Sequence, residues 1–462
     1  GPGIDKAEIH DGKIDGDFKQ GGGRDTFVMT GGTIVGEFND GDIVTITGGS
    51  IGSVALNLGN DDFKMSGGEI VGDVKGQVNN DSFVISDKAV VGGDILGGIG
   101  NDSLVWQDGG TIKGKILMDG DPSGDKTGKD TVTLINQTAA TTASSPEING
   151  GADEDTFNLK NSQYIHRDAN IIVGFEHVNL TDNSTLTLSN RALKLGDNMD
   201  DNASTGFNID KTSTLAVING NATDFTGHLS GTGTVSTNTS GKAFNFTNNN
   251  KADGFGGTLA LGNSTLALTG VNTQALKNAT LRADDKSITT VGSGQQTIGG
   301  LTFNGGTVVF GAVAPGNTVS DNTIQTSKNL DISGKGSVKV SLGDAVNYAP
   351  DVNDKVQLLK QDDGQNLIKL VGSGGTVTGN GSALTLKDSS GSVISSGKMT
   401  HIVNTAGGPT VAEGTWDWKL SDGTGHDGLY VTYALKEVNL KGAGSDALTL
   451  NSGTDTGSAA DL

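Results

Sequence analysis

The sequence contains no cysteine, so no disulfide can staple the fold, and stability has to come from packing and backbone hydrogen bonding. It has six prolines in 462 residues, which excludes a proline-driven linker, and its glycines follow no triplet period, which excludes collagen. Aromatic residues make up 5% and hydrophobic residues 33%, too few for one large globular core but enough for a narrow interior repeated along an axis. Positive charge is scarce. Arg24, Arg167, Arg191 and Arg282 are the only arginines, and the net charge of −21 opposes binding to nucleic acid. No stretch approaches the roughly 18 apolar residues of a membrane helix. The opening Gly1-Pro2-Gly3 reads as a cloning remnant rather than a signal sequence.

What the chain does have is glycine, 74 residues of it, with Thr, Ser, Asn and Asp around it. Glycine costs backbone entropy inside regular elements, so this abundance implies many tight corners or closely stacked backbones. The first 160 residues repeat themselves: RDTFVMTGGTIVGEF from Arg24, DIVTITGGSIGSVAL from Asp42, DDFKMSGGEIVGDV from Asp61, DSFVISDKAVVGGDI from Asp81 and DSLVWQDGGTIKGKI from Asp102. The unit recurs every 17 to 21 residues. Equivalent apolar positions are Phe27, Val44, Phe63, Phe83 and Leu104, followed two residues on by Met29, Ile46, Met65, Ile85 and Trp106. A period of two is strand. Ile34, Ile51, Ile70 and Ile112 follow the Gly pairs, so each unit has at least two strands about a corner. One such unit cannot bury its own apolar side chains, but copies stacked at the strand spacing of about 4.8 Å pair their backbones and align like on like.

The pattern breaks at Asp119, where DGDPSGDKTGKD and NQTAATTASSPEING intervene before DEDTFNL from Asp153, and residues 119–150 are expected to form a protruding loop. From about residue 176 the units lengthen and gain Thr and Asn. A helical turn or two near Thr273 to Lys277 is the one helix anticipated. Near the end, Trp416, Trp418 and Leu420 alternate on one strand and Leu429, Val431, Tyr433 and Leu435 on another, with SDGTGHDG between them, which predicts a hairpin capping the stack.

Two segments resemble the passenger domain of adhesin-type, self-associating bacterial autotransporters: DGFGGTLALGNSTLALTG from Asp253, similar to a passenger-associated repeat, and the Trp-x-Trp-x-Leu to Gly-Leu-Tyr-x-x-Tyr hairpin, similar to an autochaperone module. The resemblance covers roughly residues 176 to 440. It implies an all-β, right-handed parallel β-helix (a solenoid, pectin-lyase-like) with a C-terminal autochaperone-type cap, displayed at the bacterial surface and acting in adhesion, aggregation or biofilm formation. The expected layout is a solenoid over 4–340, an autochaperone-like section over 341–440 and a linker tail over 441–462, the family's own outer-membrane barrel being absent from this chain. Implied partners are host glycans such as glycosaminoglycans, an extracellular-matrix protein such as fibronectin, or a second copy through homotypic self-association. A polysaccharide lyase or hydrolase is the enzymatic rival, and the scattered Lys64, Lys75, Lys88, Lys113 and Lys115 speak against it.

The contact residues expected are the Asn/Asp corners of successive units, Asn60, Asp61, Asn80, Asp81, Asn101 and Asp102, with Asp119, Asp121, Lys126 and Asp153 from the insert, because amides and carboxylates suit sugar hydroxyls. GGIGNDSLV, residues 97–105, approaches the calcium β-roll nonapeptide, but it is not in tandem, and no metal or cofactor is assigned. Ser50 stands in a Gly-x-Ser-x-Gly whose equivalents in the other copies are Glu69 and Thr111, which makes it a corner residue rather than a nucleophile. His10, His166, His177, His228, His401 and His426 show no ligand spacing and are expected at the surface.

Overall fold

The computed structural model describes residues 1–120, 128–189, 205–247, 254–313, 319–341, 367–405 and 408–441. These residues are nearly all β, in parallel strands stacked as a solenoid. The chain divides into two compact units, the first comprising residues 1–220 and 225–236, the second residues 221–224 and 237–462. The tail over 442–462 lies outside the described residues.

In the first unit each coil has up to three sides. One side is an eleven-stranded parallel sheet that takes one strand per coil, including Thr26–Met29, Ile43–Ile46, Asp62–Met65, Ser82–Ser86, Ser103–Gln107, Thr131–Ile135 and Thr156–Lys160. Its register places Phe27 on Val44, Val44 on Phe63, Phe63 on Phe83 and Phe83 on Leu104. Met29, Ile46, Met65, Ile85 and Trp106 form the second column in the same ladder. All ten side chains are buried, so the two columns read from the sequence are the interior. At about 1.5–3 kcal/mol per buried aliphatic or aromatic side chain, each coil gains stability only when its neighbours cover it.

The other two sides share a twelve-stranded sheet, because the long strand Ser50–Leu58 bends and pairs with Glu69–Ile70 at one end and Val74–Val78 at the other. Ile34, Ile51 and Ile70 are in register there, and Val91 continues the column to Ile112. Strands of two residues at a corner are too short to show a sequence period, which is why the third side was not anticipated.

Residues 119–150 do not behave as one protruding loop. Residues 121–127 lie outside the described set, but Thr131–Ile135 is a full strand of the first sheet and Glu147–Asn149 belongs to the second. The segment from Lys129 is therefore another coil, in which the short helix Ala139–Thr142, capped by the Thr138 hydroxyl, stands where other coils have a strand. The lengthened spacing and the helix disguised the copy DTVTL from Asp130.

In the second unit, Thr258–Leu261, Thr280–Asp284, Gly300–Asn304, Leu330–Asp331 and Val377–Thr378 stack in parallel. Thr265–Leu268, Ile288–Val291, Thr307–Ala312, Gly336–Ser341 and Leu384–Lys387 stack on another side. The anticipated helical turns form a helix over Gly270–Ala275. On a further side, Ile368–Ser373 pairs in parallel with Val319–Thr326 and antiparallel with Gly428–Lys441, which forms a hairpin with Gly408–Ser421. In register, Trp418 pairs with Tyr433 and Leu420 with Val431 across that hairpin, the two strands that the alternation predicted.

Candidate functional site

The Asn-Asp corners stack into two columns that run in opposite hydrogen-bonding directions. The backbone N–H of Asn80 donates to Asn60 Oδ1 at 3.0 Å, that of Asn101 to Asn80 Oδ1 at 2.7 Å and that of Lys129 to Asn101 Oδ1 at 2.8 Å, each reaching back to the preceding coil. The next residue in each corner reaches forward. Asp61 N–H donates to Asp81 Oδ1 at 3.0 Å, Asp81 N–H to Asp102 Oδ1, Asp102 N–H to Asp130 Oδ1 and Asp130 N–H to Asp155 Oδ1, the last three all at 2.7 Å. Asp155 N–H continues to Glu176 Oε2 at 2.9 Å. Corner amides that no ladder strand could pair are thus satisfied by side chains.

Burial separates the two columns. Asn60, Asn80 and Asn101 are exposed, whereas Asp61, Asp81 and Asp102 are at most 2% exposed. Neighbouring residues at an extended corner point to opposite sides, so of the six residues expected as surface contacts only the asparagines are exposed. The three aspartates face the interior and a ligand outside the coil cannot touch their carboxyls. Asp119 is also buried and accepts from Ala152 N–H at 2.6 Å, bracing the following coil. Asp153 is exposed and accepts from Gly128 N–H at 3.3 Å. Asp121 and Lys126 lie outside the described residues. The column also contains Asp130 and Asp155, which were not singled out although each opens a copy of the same strand motif.

One oxygen of each buried aspartate, Oδ2 of Asp81, Asp102, Asp130 and Asp155, has no hydrogen-bond partner, and neither oxygen of Asp61 has one. Glycines on the third side leave room for these oxygens. A Cβ at Gly76 would stand 2.4 Å from Asp81 Oδ2, one at Gly97 2.8 Å from Asp102 Oδ2 and one at Gly150 2.9 Å from Asp155 Oδ2. If all were ionised, like charges on adjacent coils about 4.8 Å apart would repel by about 3–4 kcal/mol per pair at an effective dielectric near 20. Burial accordingly pushes Asp81, Asp130 and Asp155 up to about 8, Asp61 to about 7 and Asp102 to about 6.

The exterior beside the asparagines is partly apolar. Leu58, Val78 and Ile99 are in register on three successive coils, Leu58 76% and Ile99 41% exposed. Further along, Asn179 Nδ2 donates to Asn158 Oδ1 at 2.8 Å and Asn158 Nδ2 to Thr133 Oγ1 at 3.2 Å, an amide ladder on the outer face of the first sheet. Lys75 and Lys115 make outer ion pairs with Glu37 at 4.0 Å and Glu147 at 3.0 Å. His166 departs from the expected surface position: it is buried, and its Nδ1 accepts from Ile172 N–H at 2.9 Å. Among the described residues no group of three or more His, Asp or Glu is arranged to hold a metal ion.

Stacked corners, an acidic interior column and a repeating exterior define a β-solenoid. No protein-family model matches the chain. It is similar to the Uncharacterized protein YuaQ of Escherichia coli (strain K12), 43% identical over 240 residues, which is 52% of this chain and 17% of YuaQ. It is also similar to the Uncharacterized lipoprotein YdeK of the same organism, 34% identical over 223 residues, 45% of this chain and 16% of YdeK. The chain spans about a sixth of the length of these curated relatives at most.

Proposed function

We propose that the chain is part of a bacterial surface adhesin, the right-handed β-helical passenger of an adhesin-type autotransporter, which binds host glycans or extracellular-matrix protein without catalysing a reaction. The observation that carries this reading is the exterior stripe of the first unit. There Asn60, Asn80 and Asn101 stand one per coil beside Leu58, Val78 and Ile99, a repeated pairing of amide and apolar side chains open to solvent. Amides bond sugar hydroxyls in both senses, and apolar side chains cover the C–H faces of sugar rings. The net charge of −21 makes any contact with a sulfated glycan weak and salt-sensitive. The name of YdeK, a lipoprotein, supports a place in the cell envelope. Antiparallel pairing of the terminal hairpin with Ile368–Ser373 supports reading it as an autochaperone-type cap.

The test is a glycan and matrix-protein array probed with the purified chain and with a Leu58→Lys, Ile99→Lys variant, whose substitutions fall on exposed positions. Retention on an uncut glycan or a matrix protein, weakened at least about tenfold (~1.4 kcal/mol) in the variant, supports the reading. Binding to nothing on the array, or release of cleaved glycan, overturns it. Clumping of particles coated with the chain alone would transfer the stripe's role to a second copy.

A further inference from the structure

Five aspartates, Asp61, Asp81, Asp102, Asp130 and Asp155, stand one above another inside the first unit, each joined to the next by a backbone N–H. The charged groups facing them are almost all acidic. Asp40, Asp42 and Asp62 surround Asp61, Asp119 faces Asp102, Asp130 and Asp155, Asp153 faces Asp130, and Glu176 faces Asp155. Among the described residues the one cation acting on the column is Arg24, which lies near Asp61, is about half exposed and is engaged with Asn60 O and Asp62. Lys129, next to Asp130 in sequence, is exposed and pairs outward with Glu154 at 3.3 Å. On the third side the column meets Gly76, Gly97 and Gly150, which bring no charge. A stack of buried carboxylates without a counter-ion is stable only if several carry protons.

We propose that this column is a pH switch built into the fold: protons on the stacked carboxyls hold the coils from Asp61 to Glu176 together in mildly acidic medium, and their loss above neutrality loosens that stretch. Asp81, Asp102, Asp130 and Asp155 still accept the neighbouring N–H through Oδ1 when neutral, so protonation removes repulsion without breaking the ladder. The raised values given above agree in direction. In the unfolded chain these groups release their protons near pH 4, while the folded chain holds them to between about 6 and about 8. Folding therefore takes up protons in that interval. The column's contribution to stability is fully present below about pH 4 and is lost as pH rises through the folded values.

The test is urea unfolding of the full chain from about pH 5 to about pH 8.5, followed through the fluorescence of Trp106, which is buried on the strand that follows Asp102. The expected result is a midpoint that falls steadily as pH rises, with a smaller slope in Asp81→Asn and Asp130→Asn. Each variant keeps the Oδ1 acceptor but cannot titrate, so each should remove about a tenfold change in the unfolding constant per pH unit. Asp15→Asn, at a position 82% exposed, removes one charge without removing a buried proton and should leave the slope unchanged. A second readout does not depend on the variants folding: the infrared band of protonated carboxyl groups should persist in the unmodified chain at neutral pH. A midpoint that is flat or rises toward pH 8.5, an unchanged slope in both column variants, or the absence of the protonated band would each overturn the proposal.

Discussion

The backbone N–H of Asp102 donates to Asp130 Oδ1 at 2.7 Å across 28 residues of sequence, the same bond that joins Asp81 to Asp102 across 21. The insertion between the two coils leaves the stack in step, and Leu104 sits on Val132 just as Phe83 sits on Leu104. Asp130→Ala would leave the buried Asp102 N–H without an acceptor, at a cost of about 1–3 kcal/mol. Asp130→Asn keeps the acceptor and at neutral pH should cost less than half as much. Urea midpoints of the two variants at one pH measure the difference.

The glycines opposite the aspartate column are required for space rather than for backbone freedom. A Cβ at Gly97 would lie 2.2 Å from Met118 O as well as against Asp102. Gly97→Ala should therefore destabilise the first unit by about 2 kcal/mol or more, through displacement of backbone that cannot easily yield. Gly220, with nothing within 4 Å of its Cβ position, should accept alanine within about 0.5 kcal/mol. Thermal unfolding of the two variants side by side separates crowding from a general effect of replacing glycine.

Trp106 replaces the Met or Ile of the other coils in the second apolar column, between Ile85 and Leu134, and its Nε1–H donates to Gly110 O at 3.3 Å. Trp106→Ala should cost about 3–5 kcal/mol. Trp106→Phe keeps most of the volume and loses the hydrogen bond, so about 1–2 kcal/mol is expected. The Trp106 share of the blue-shifted emission should disappear in both, leaving that of the buried Trp418.

Much of this fold was legible because a strand of four or five residues shows a period of two, and five copies of one motif fixed the register of the interior to the residue. Phe63 on Phe83 needed no structure to propose. The site was harder to read. Asn80 and Asp81 are adjacent and chemically similar, and nothing in their order says that one faces solvent and the other the interior; that depends on the turn of the corner between two sheets. The coil around Asp130 was hidden for a different reason, since its second side is the helix Ala139–Thr142 and its entry is lengthened, so a spacing near 20 residues fails there while the strand motif survives. His166 gave no signal either, because its partner is the backbone of Ile172, which any residue supplies.

The hairpin closing the second unit offers a kinetic prediction. Val431 and Leu429 are fully buried, and their strand covers the edge left by Ile368–Ser373, where Ile368 pairs with Val431 and Val371 with Leu429. An uncovered edge of this kind would present unpaired backbone groups to other chains. If the hairpin forms early and templates the coils next to it, Val431→Ala should slow refolding while scarcely changing the rate of unfolding. Val338→Ala, at a buried position within the parallel stack, should instead speed unfolding. Both substitutions remove the same atoms from a buried site, so their equilibrium costs should be alike, about 1–3 kcal/mol, and the difference appears only in which rate carries it. Stopped-flow refolding and unfolding of the two variants decides the matter, and equal effects on refolding would remove the templating role from the hairpin.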